Sequence, residues 1–415
     1  MARTLACLTN VLFFVMSAAA LATRPPLNRI EYVLFEDERL WPFVENAETY
    51  RLQVVLGFIE EGPNGPRLVQ DTFRVDKDGV GAEYFYPAST IKFFGAVAAL
   101  EHLAELRSQG VEVDENSPLS YYPRSEDAGA DNGTVEKEDP SNLEDGRITV
   151  AHEIRKLFLV SDNQAYNRLY DFVGQDALNR SAHRAGISSA YLVHRLAIGG
   201  TPEENRHMPR IRIGGHEIPE RHNPPQPQPA SVPGLQVGQG SMAWDVEGGR
   251  RIDKPFDMSV KNRIGLADLQ KALALVVRPD VKVPGGHGFR LNEADRRLLM
   301  AAMEPLPRES KNPIYDAATY TDDYVKYFLP GLLRLVPRER LRIYNKVGLA
   351  YGFSTENAYI VDVETGNAFF LAATIYTNED GILNDDVYEY DTVALPFFAD
   401  LGEAVARSVL GWGSP

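Results

Sequence analysis

Apolar and polar positions follow two different periods along this chain. Near the N-terminus, "RLQVVLGFIEE" and "RLVQDTFRVDKDG" flank the turn-rich "GPNGP", a pattern that predicts a hairpin of two strands. Toward the C-terminus, "LRIYNKVGLAYG", "NAYIVDV" and "NAFFLAATIYTN" read as three more strands, the last two joined by "ETG". Between these blocks the period lengthens. "STIKFFGAVAALEHLAEL", "TVAHEIRKLFL", "NQAYNRLYDFVG" and "GLADLQKALALVV" carry apolar residues at helical spacing, such as Phe93, Val97, Leu100 and Ala104. The expected class is α+β: an antiparallel sheet built from both chain ends (28–85 and 335–415), with a mainly helical lobe (86–334) inserted and a ligand cleft between them.

Two stretches fit neither period. Residues 123–146 are crowded with Asp and Glu and read as a solvated acidic loop, since "DAGADNG" lacks the alternating ligands of a calcium loop. Residues 199–255 contain "NPPQPQPASVP", which predicts a long irregular excursion, either a covering flap or a tolerated insertion. No internal repeat is present.

Composition narrows the function. The chain has 415 residues, an ordinary apolar fraction of 44% and a net charge of −15, which leaves no extended basic surface for nucleic acid. The opening "MARTLACLTNVLFFVMSAAALATRPP" has Arg3, an apolar run and the small-residue triplet Ala20-Leu21-Ala22, the pattern of a secretory leader over 1–22. The expectation is export to the periplasm or the exterior, without stable membrane association once the leader is cut; an uncleaved anchor is the alternative. The single cysteine, Cys7, lies in that leader, so the mature chain has neither disulfide nor thiolate chemistry.

Three short motifs carry candidate chemistry. In "YPASTIK", Pro87 suits a helix start, and Ser89 and Lys92, three apart, share one helical face. A lysine of lowered pKa can take the proton of such a serine, and first-turn N–H groups would face an oxyanion. Ser-x-x-Lys alone is weak, because about one or two occurrences are expected by chance at this length. "VSDNQAYN" lies between two helical patterns, so Ser161 or Asp162 reads equally as a helix cap or, for Ser161, as a proton-relay hydroxyl beside the Asn163 amide. "YNKVG" ends a strand, where Lys346 would set a cation in the cleft.

In this order, Ser-x-x-Lys, Ser-Asp-Asn and Lys-x-Gly resemble the serine β-lactamase and penicillin-binding protein superfamily, class A β-lactamases most closely. The resemblance implies an exported acyl-serine hydrolase acting on a β-lactam or related amide, with a D-alanyl-D-alanine peptidase-like enzyme or a non-catalytic binding module as alternatives. It implies Ser89 as nucleophile, Lys92 as base or relay, Ser161 as proton donor to the leaving nitrogen, and Lys346 as the carboxylate-attracting cation. Asn163 would orient the substrate, Gly348 would take part in substrate binding, and the backbone N–H groups of Ser89 and Leu349 would form the oxyanion hole. It implies a small-molecule or peptide substrate and no cofactor or metal.

Two departures stand out. Val347 occupies the position where the family usually has Thr or Ser, and Ser354 or Thr355 is the candidate replacement hydroxyl. Aligning Arg195 with the family's Arg-x-Glu-x-x-Leu-Asn loop puts Ala197 at the glutamate position, with Glu203 and Glu204 following. Of these, Glu204, next to Asn205, is the catalytic candidate if the loop is longer and rerouted, with an exposed loop carboxylate as the alternative, and slow deacylation of β-lactams is expected. A metal reading of His216, Glu217 and His222 is disfavoured because Pro219 interrupts any helix and the spacing is wrong. His152 reads as a surface or partly packed histidine.

Overall fold

The computed structural model describes residues 27–75, 82–124, 134–244, 246 and 248–412. The leader and its Cys7, together with 125–133 of the acidic stretch, lie outside the described residues. The central element is a five-stranded antiparallel sheet. Its strands are β1 (Gln53–Glu60), β2 (Arg67–Arg74), β3 (Leu341–Ala350), β4 (Phe353–Asp362) and β5 (Ala368–Tyr376), in the spatial order β3-β4-β5-β1-β2. The hairpin runs in register from Gln53 opposite Arg74 to Glu60 opposite Arg67, and β5 joins the two chain ends through Val55 opposite Ala372.

Both faces of this sheet are covered, so its middle strands are apolar on both sides rather than alternating with polar residues. Phe369, Leu371, Ala373 and Ile375 of β5 face one hydrophobic cluster, which contains α1 (Arg29–Glu36) and the C-terminal helix α8 (Leu395–Leu410). Phe370 and Ala372 face the other, larger cluster, which includes the helical lobe. That lobe comprises α2 (Lys92–Ser108), α3 (Val150–Leu159), α4 (Asn163–Val173), α5 (Gln175–Arg184), α6 (Leu266–Val277) and α7 (Glu293–Met303). Helix α6 is bonded to the sheet directly. Its Gln270 side chain donates to Val55 O at 2.9 Å, above Gly57, where a Cβ would come within 2.4 Å of the Gln270 amide oxygen.

The four helices expected from periodicity are present as α2, α3, α4 and α6. α1, α5, α7 and α8 were left unassigned by that reading. α2 is buried on nearly every side from Lys92 to Leu100, so it has little amphipathic contrast.

Two expectations are corrected. The described part of the acidic stretch is not simply solvated: Asp139 is buried, accepts from Lys156 at 2.6 Å and Arg168 at 3.2 Å, and Arg168 also bonds Glu136 and Glu153. Its acids neutralise cations buried between α3 and α4, which a solvated loop would leave unpaired. His152 is likewise fully buried, with Nε2 2.9 Å from Ser141 Oγ and burial lowering its pKa to about 4.

The Pro-rich excursion has more structure than composition suggests. Its 223–233 run is irregular, but short strands follow. Gly240–Ala243 pairs with Arg250–Ile252 and, in parallel, with Ile382–Leu383 beyond β5. Arg51 donates to Gly234 O at 2.8 Å and Arg263 to Ala230 O at 3.0 Å, fastening the excursion near both lobes.

Candidate active site

Pro87 precedes a single 3-10 turn, Ala88–Ile91, that runs into α2 at Lys92. Thr90 closes it by donating both its N–H (3.0 Å) and its hydroxyl (2.7 Å) to Pro87 O. Ala88 takes a left-handed backbone, φ 46°, and Ser89 is half-buried at the tip. Across the gap stands the end of β3. A Cβ on Gly348 would lie 2.4 Å from Pro87 O and 3.1 Å from Ser89 N, so only glycine lets the strand approach the turn this closely.

The Ser-Asp-Asn loop joins α3 to α4 and divides the two readings offered by its sequence. Asp162 is the cap, accepting Ala165 N–H at 2.8 Å. Ser161 is released from capping and held at φ 57°, a left-handed conformation that costs a non-glycine residue about 1 kcal/mol. Its oxygen atoms face two buried lysines. Lys92 Nζ donates to Ser161 O, to Ser161 Oγ (3.2 Å) and to Asn163 Oδ1 (2.7 Å). Lys346 Nζ donates to the same Ser161 Oγ at 2.8 Å and to Val347 O at 2.9 Å. These donors of Lys92 are directed at Ser161 and Asn163 rather than at the Ser89 hydroxyl.

Burial dominates the electrostatics. Lys92, fully buried, has its pKa lowered to about 7, with Asp162 opposing the shift. Lys346 is lowered well below the ordinary lysine range by burial and then by repulsion from Lys92. Behind it, Lys326 Nζ donates to Met303 O, Ile343 O and Asn345 Oδ1, while Asn345 donates to Glu356 at 2.8 Å. Burial pushes Lys326 down and Glu356 up. The oxygen acceptors around the amine and the Asn345 and Phe328 N–H donors to the carboxylate suit the charged forms.

Two cavities meet at this centre. The larger, about 740 Å³, is lined by Ser89, Ser161, Asn163, Val347, Gly348 and Leu349 together with an aromatic and acidic wall. The smaller, about 420 Å³, shares Ser89, Asn163 and Leu349 and adds Tyr86, Leu196 and Ala197. Ala197, exposed and left-handed at φ 55°, presents a methyl group where the resemblance leads one to look for a carboxylate.

Three candidates, Glu204, Ser354 and Thr355, are not brought to the centre. Glu204 lines neither cavity. It closes a turn of its own loop, accepting Thr201 N–H at 2.5 Å while Thr201 Oγ1 accepts Glu204 N–H at 3.2 Å. Arg195 holds that loop by donating to Glu204 O and His207 O and by pairing with Asp171. Ser354 is fully buried, its hydroxyl has no hydrogen-bond partner among the described residues, and it lines neither cavity. On β4, Ala358 and Ile360, of the same parity, belong to the cluster containing α1 and α8, whereas Phe353 and Tyr359 belong to the opposite one, so a one-residue offset puts Ser354 on the wrong face. Thr355 points the other way but is fully buried, its hydroxyl bonded to Thr374 Oγ1 at 2.8 Å.

Site residues that sequence reasoning missed lie in "NDDVYEYD" after β5 and "TDDYVKY" between α7 and β3: Asp386, Tyr388, Tyr390 and Asp391, and Asp323, Tyr324 and Tyr327. Tyrosines interleaved with aspartates are the signal that would have found them. His216 and Glu217 sit on a short strand, where Glu217 pairs with Arg210, while His222 stacks on His207 with centroids 4.0 Å apart.

Residues 73–219 match the model of a family described as "Beta-lactamase enzyme family". No curated protein matches the chain. Among solved structures, a β-lactamase from Xanthomonas campestris pv. campestris is similar at 16% identity, over 93% of this chain and 100% of that one, with a TM-score of 0.47. A class A β-lactamase from Clostridium kluyveri is similar at 14% identity, over 89% and 97%, with a TM-score of 0.45. A β-lactamase from Sphaerobacter thermophilus is similar at 14% identity, over 88% and 94%, with a TM-score of 0.41. The matched residues 73–219 include the Ser-x-x-Lys turn and the Ser-Asp-Asn loop, two of the three motifs that resemble the serine β-lactamase and penicillin-binding protein superfamily.

Proposed function

We propose that this protein is an exported acyl-serine hydrolase acting on an amide or ester, with Ser89 as its nucleophile. The observation that carries the reading is the Ser161 hydroxyl held between two buried lysines at 3.2 and 2.8 Å, beside a cavity that Ser89 also lines. Neutral Lys92 takes the Ser89 proton through Ser161 as Ser89 Oγ bonds to the substrate carbonyl carbon. When the acyl carbon's bond to its leaving atom breaks, Ser161 returns a proton to that atom. Water then attacks the acyl-serine ester and frees the acid and Ser89. The N–H groups of Ser89 and Leu349 are placed in this reading to receive the oxyanion, with Asn163 orienting the substrate.

The division into lobes 28–85 with 335–415, and 86–334, and the cleaved leader at 1–22 with a periplasmic or extracellular location, belong to the same proposal. Ala197 favours slow deacylation, and with it a peptidase-like enzyme that β-lactams trap over a fast β-lactamase. Intact-protein mass spectrometry with benzylpenicillin and, separately, p-nitrophenyl acetate tests this beside a Ser89→Ala control. An acyl adduct on the wild type alone is the expected result. No adduct from either reagent overturns it in favour of a binding module.

A further inference from the structure

The wall of the Ser89 cleft has a chemistry that the catalytic centre does not require. Asp386, Tyr388 and Tyr390 line both cavities, and Asp323, Tyr324, Tyr327 and Asp391 line the larger. Among the described residues, no lysine or arginine lines either one, because Lys92 and Lys346 are buried behind Ser161. The side chains of Asp386 and Asp391 are exposed and make no ion pair or hydrogen bond with other described residues; the Asp323 carboxylate accepts the nearby Thr321 hydroxyl, at 2.6 Å.

Acidic side chains alone would be a solvated rim. Three further features set this wall apart. Tyr388 and Tyr390 accept backbone N–H groups of Asn384 (2.7 Å) and Gly352 (2.8 Å) through their hydroxyls. Their positions are thereby fixed, with ring centroids 5.0 Å apart. Tyr327, only 7% exposed, lines the cavity, and its hydroxyl has no hydrogen-bond partner among the described residues, which leaves it free to meet a ligand. Val347, 3% exposed, puts an isopropyl group where a hydroxyl would help hold a carboxylate.

We infer that the substrate of the Ser89 centre carries a cation, an ammonium or quaternary ammonium, seated between these aspartates and tyrosine rings. The inference rests on the acyl-serine reading for its reaction, but not for its binding chemistry. Ring faces attract alkylammonium groups, unpaired carboxylates add Coulomb attraction in a partly enclosed space, and an anion there would meet like charge.

Binding is tested on folded Ser89→Ala protein, which needs no acylation. Ligand-observed NMR compares choline with its neutral isostere 3,3-dimethylbutanol. Choline is expected to bind at least tenfold tighter, to lose most of that margin in the Asp386→Asn/Asp391→Asn double variant, and to weaken as salt is raised. Equal or weaker binding of choline, or a preference untouched by both the double variant and salt, overturns the inference. Turnover is then compared on the wild type with acetylcholine and 3,3-dimethylbutyl acetate. A tenfold kcat/KM advantage for the cation supports the inference. Reaction with neither ester counts against the acyl-serine reading, and the binding comparison still decides the cation.

Discussion

At the scale of the residue, the decisive feature is a lysine kept from its charge. Lys92 is fully buried and its pKa falls to about 7, so the base that the proposed acylation would use is present above that pH and lost below it. The acylation rate is expected to rise through about pH 7, measured by stopped-flow with a chromogenic ester, with Ser161→Ala slowing it by about 10²-fold. The same burial destabilises the fold. The unfolded lysine holds its proton up to its ordinary value of 10.5, so between about 7 and 10.5 the unfolded state binds more protons and stability rises with pH. Lys92→Met is therefore expected to abolish acylation yet raise stability by about 1–3 kcal/mol at pH 7, and by less at pH 10, in urea melts at both values. Ala197→Glu places a carboxylate against the Ser89 cavity. Acyl-adduct lifetimes are expected to shorten about tenfold or more, with little added backbone strain, because Ala197 already holds the left-handed conformation.

At the scale of the element, the sheet was legible because period-2 runs with turns between them leave little choice of pairing, as in "RLQVVLGFIEE-GPNGP-RLVQ". Helices α2, α3, α4 and α6 were legible from apolar spacing, and the three motifs fell at a helix start, a helix junction and a strand end. What could not be read was which side of a strand faces the site. Ser354 and Thr355 are equal as letters, and the pleat alone separates them. Whether Ser161 or Asp162 caps α4 was equally open, because either side chain can do it; the left-handed backbone at Ser161 decides. Gly348 shows how closely β3 and the nucleophile turn are matched. Gly348→Ala drives a methyl to 2.4 Å from Pro87 O. It is expected to cost about 1–3 kcal/mol in denaturant melts and to cut acylation by at least tenfold, since the turn must withdraw from the strand.

At the scale of the whole molecule, the site is assembled from segments far apart in sequence: 86–92, 161–163, 196–197, 323–330, 347–351 and 384–391. The acidic and tyrosine-rich wall was illegible for that reason, since nothing local tells "NDDVYEYD" that it will face Ser89. The excursion 199–255, ambiguous as letters, supports that wall. Trp244 Nε1 donates to Asn384 O at 2.8 Å, and Asn384 Nδ2 donates to Met242 O at 2.8 Å. Because Trp244 is 61% exposed, Trp244→Ala is expected to leave the melting temperature within about 2 °C of the wild type. Acylation by a cationic ester should meanwhile weaken several-fold, mainly through KM.

The tip that bears Trp244 and Val246 stands out from the surface, whereas the strands below it brace the cleft. Exposed chain of this kind is where proteases cut. One cut there would leave the sheet and both hydrophobic clusters intact, because neither draws on the tip, yet it would free the wall that positions Asp386 and Tyr388. Such a molecule would keep its shape while losing the proposed selectivity, so under proteolysis the two would be expected to end at different times.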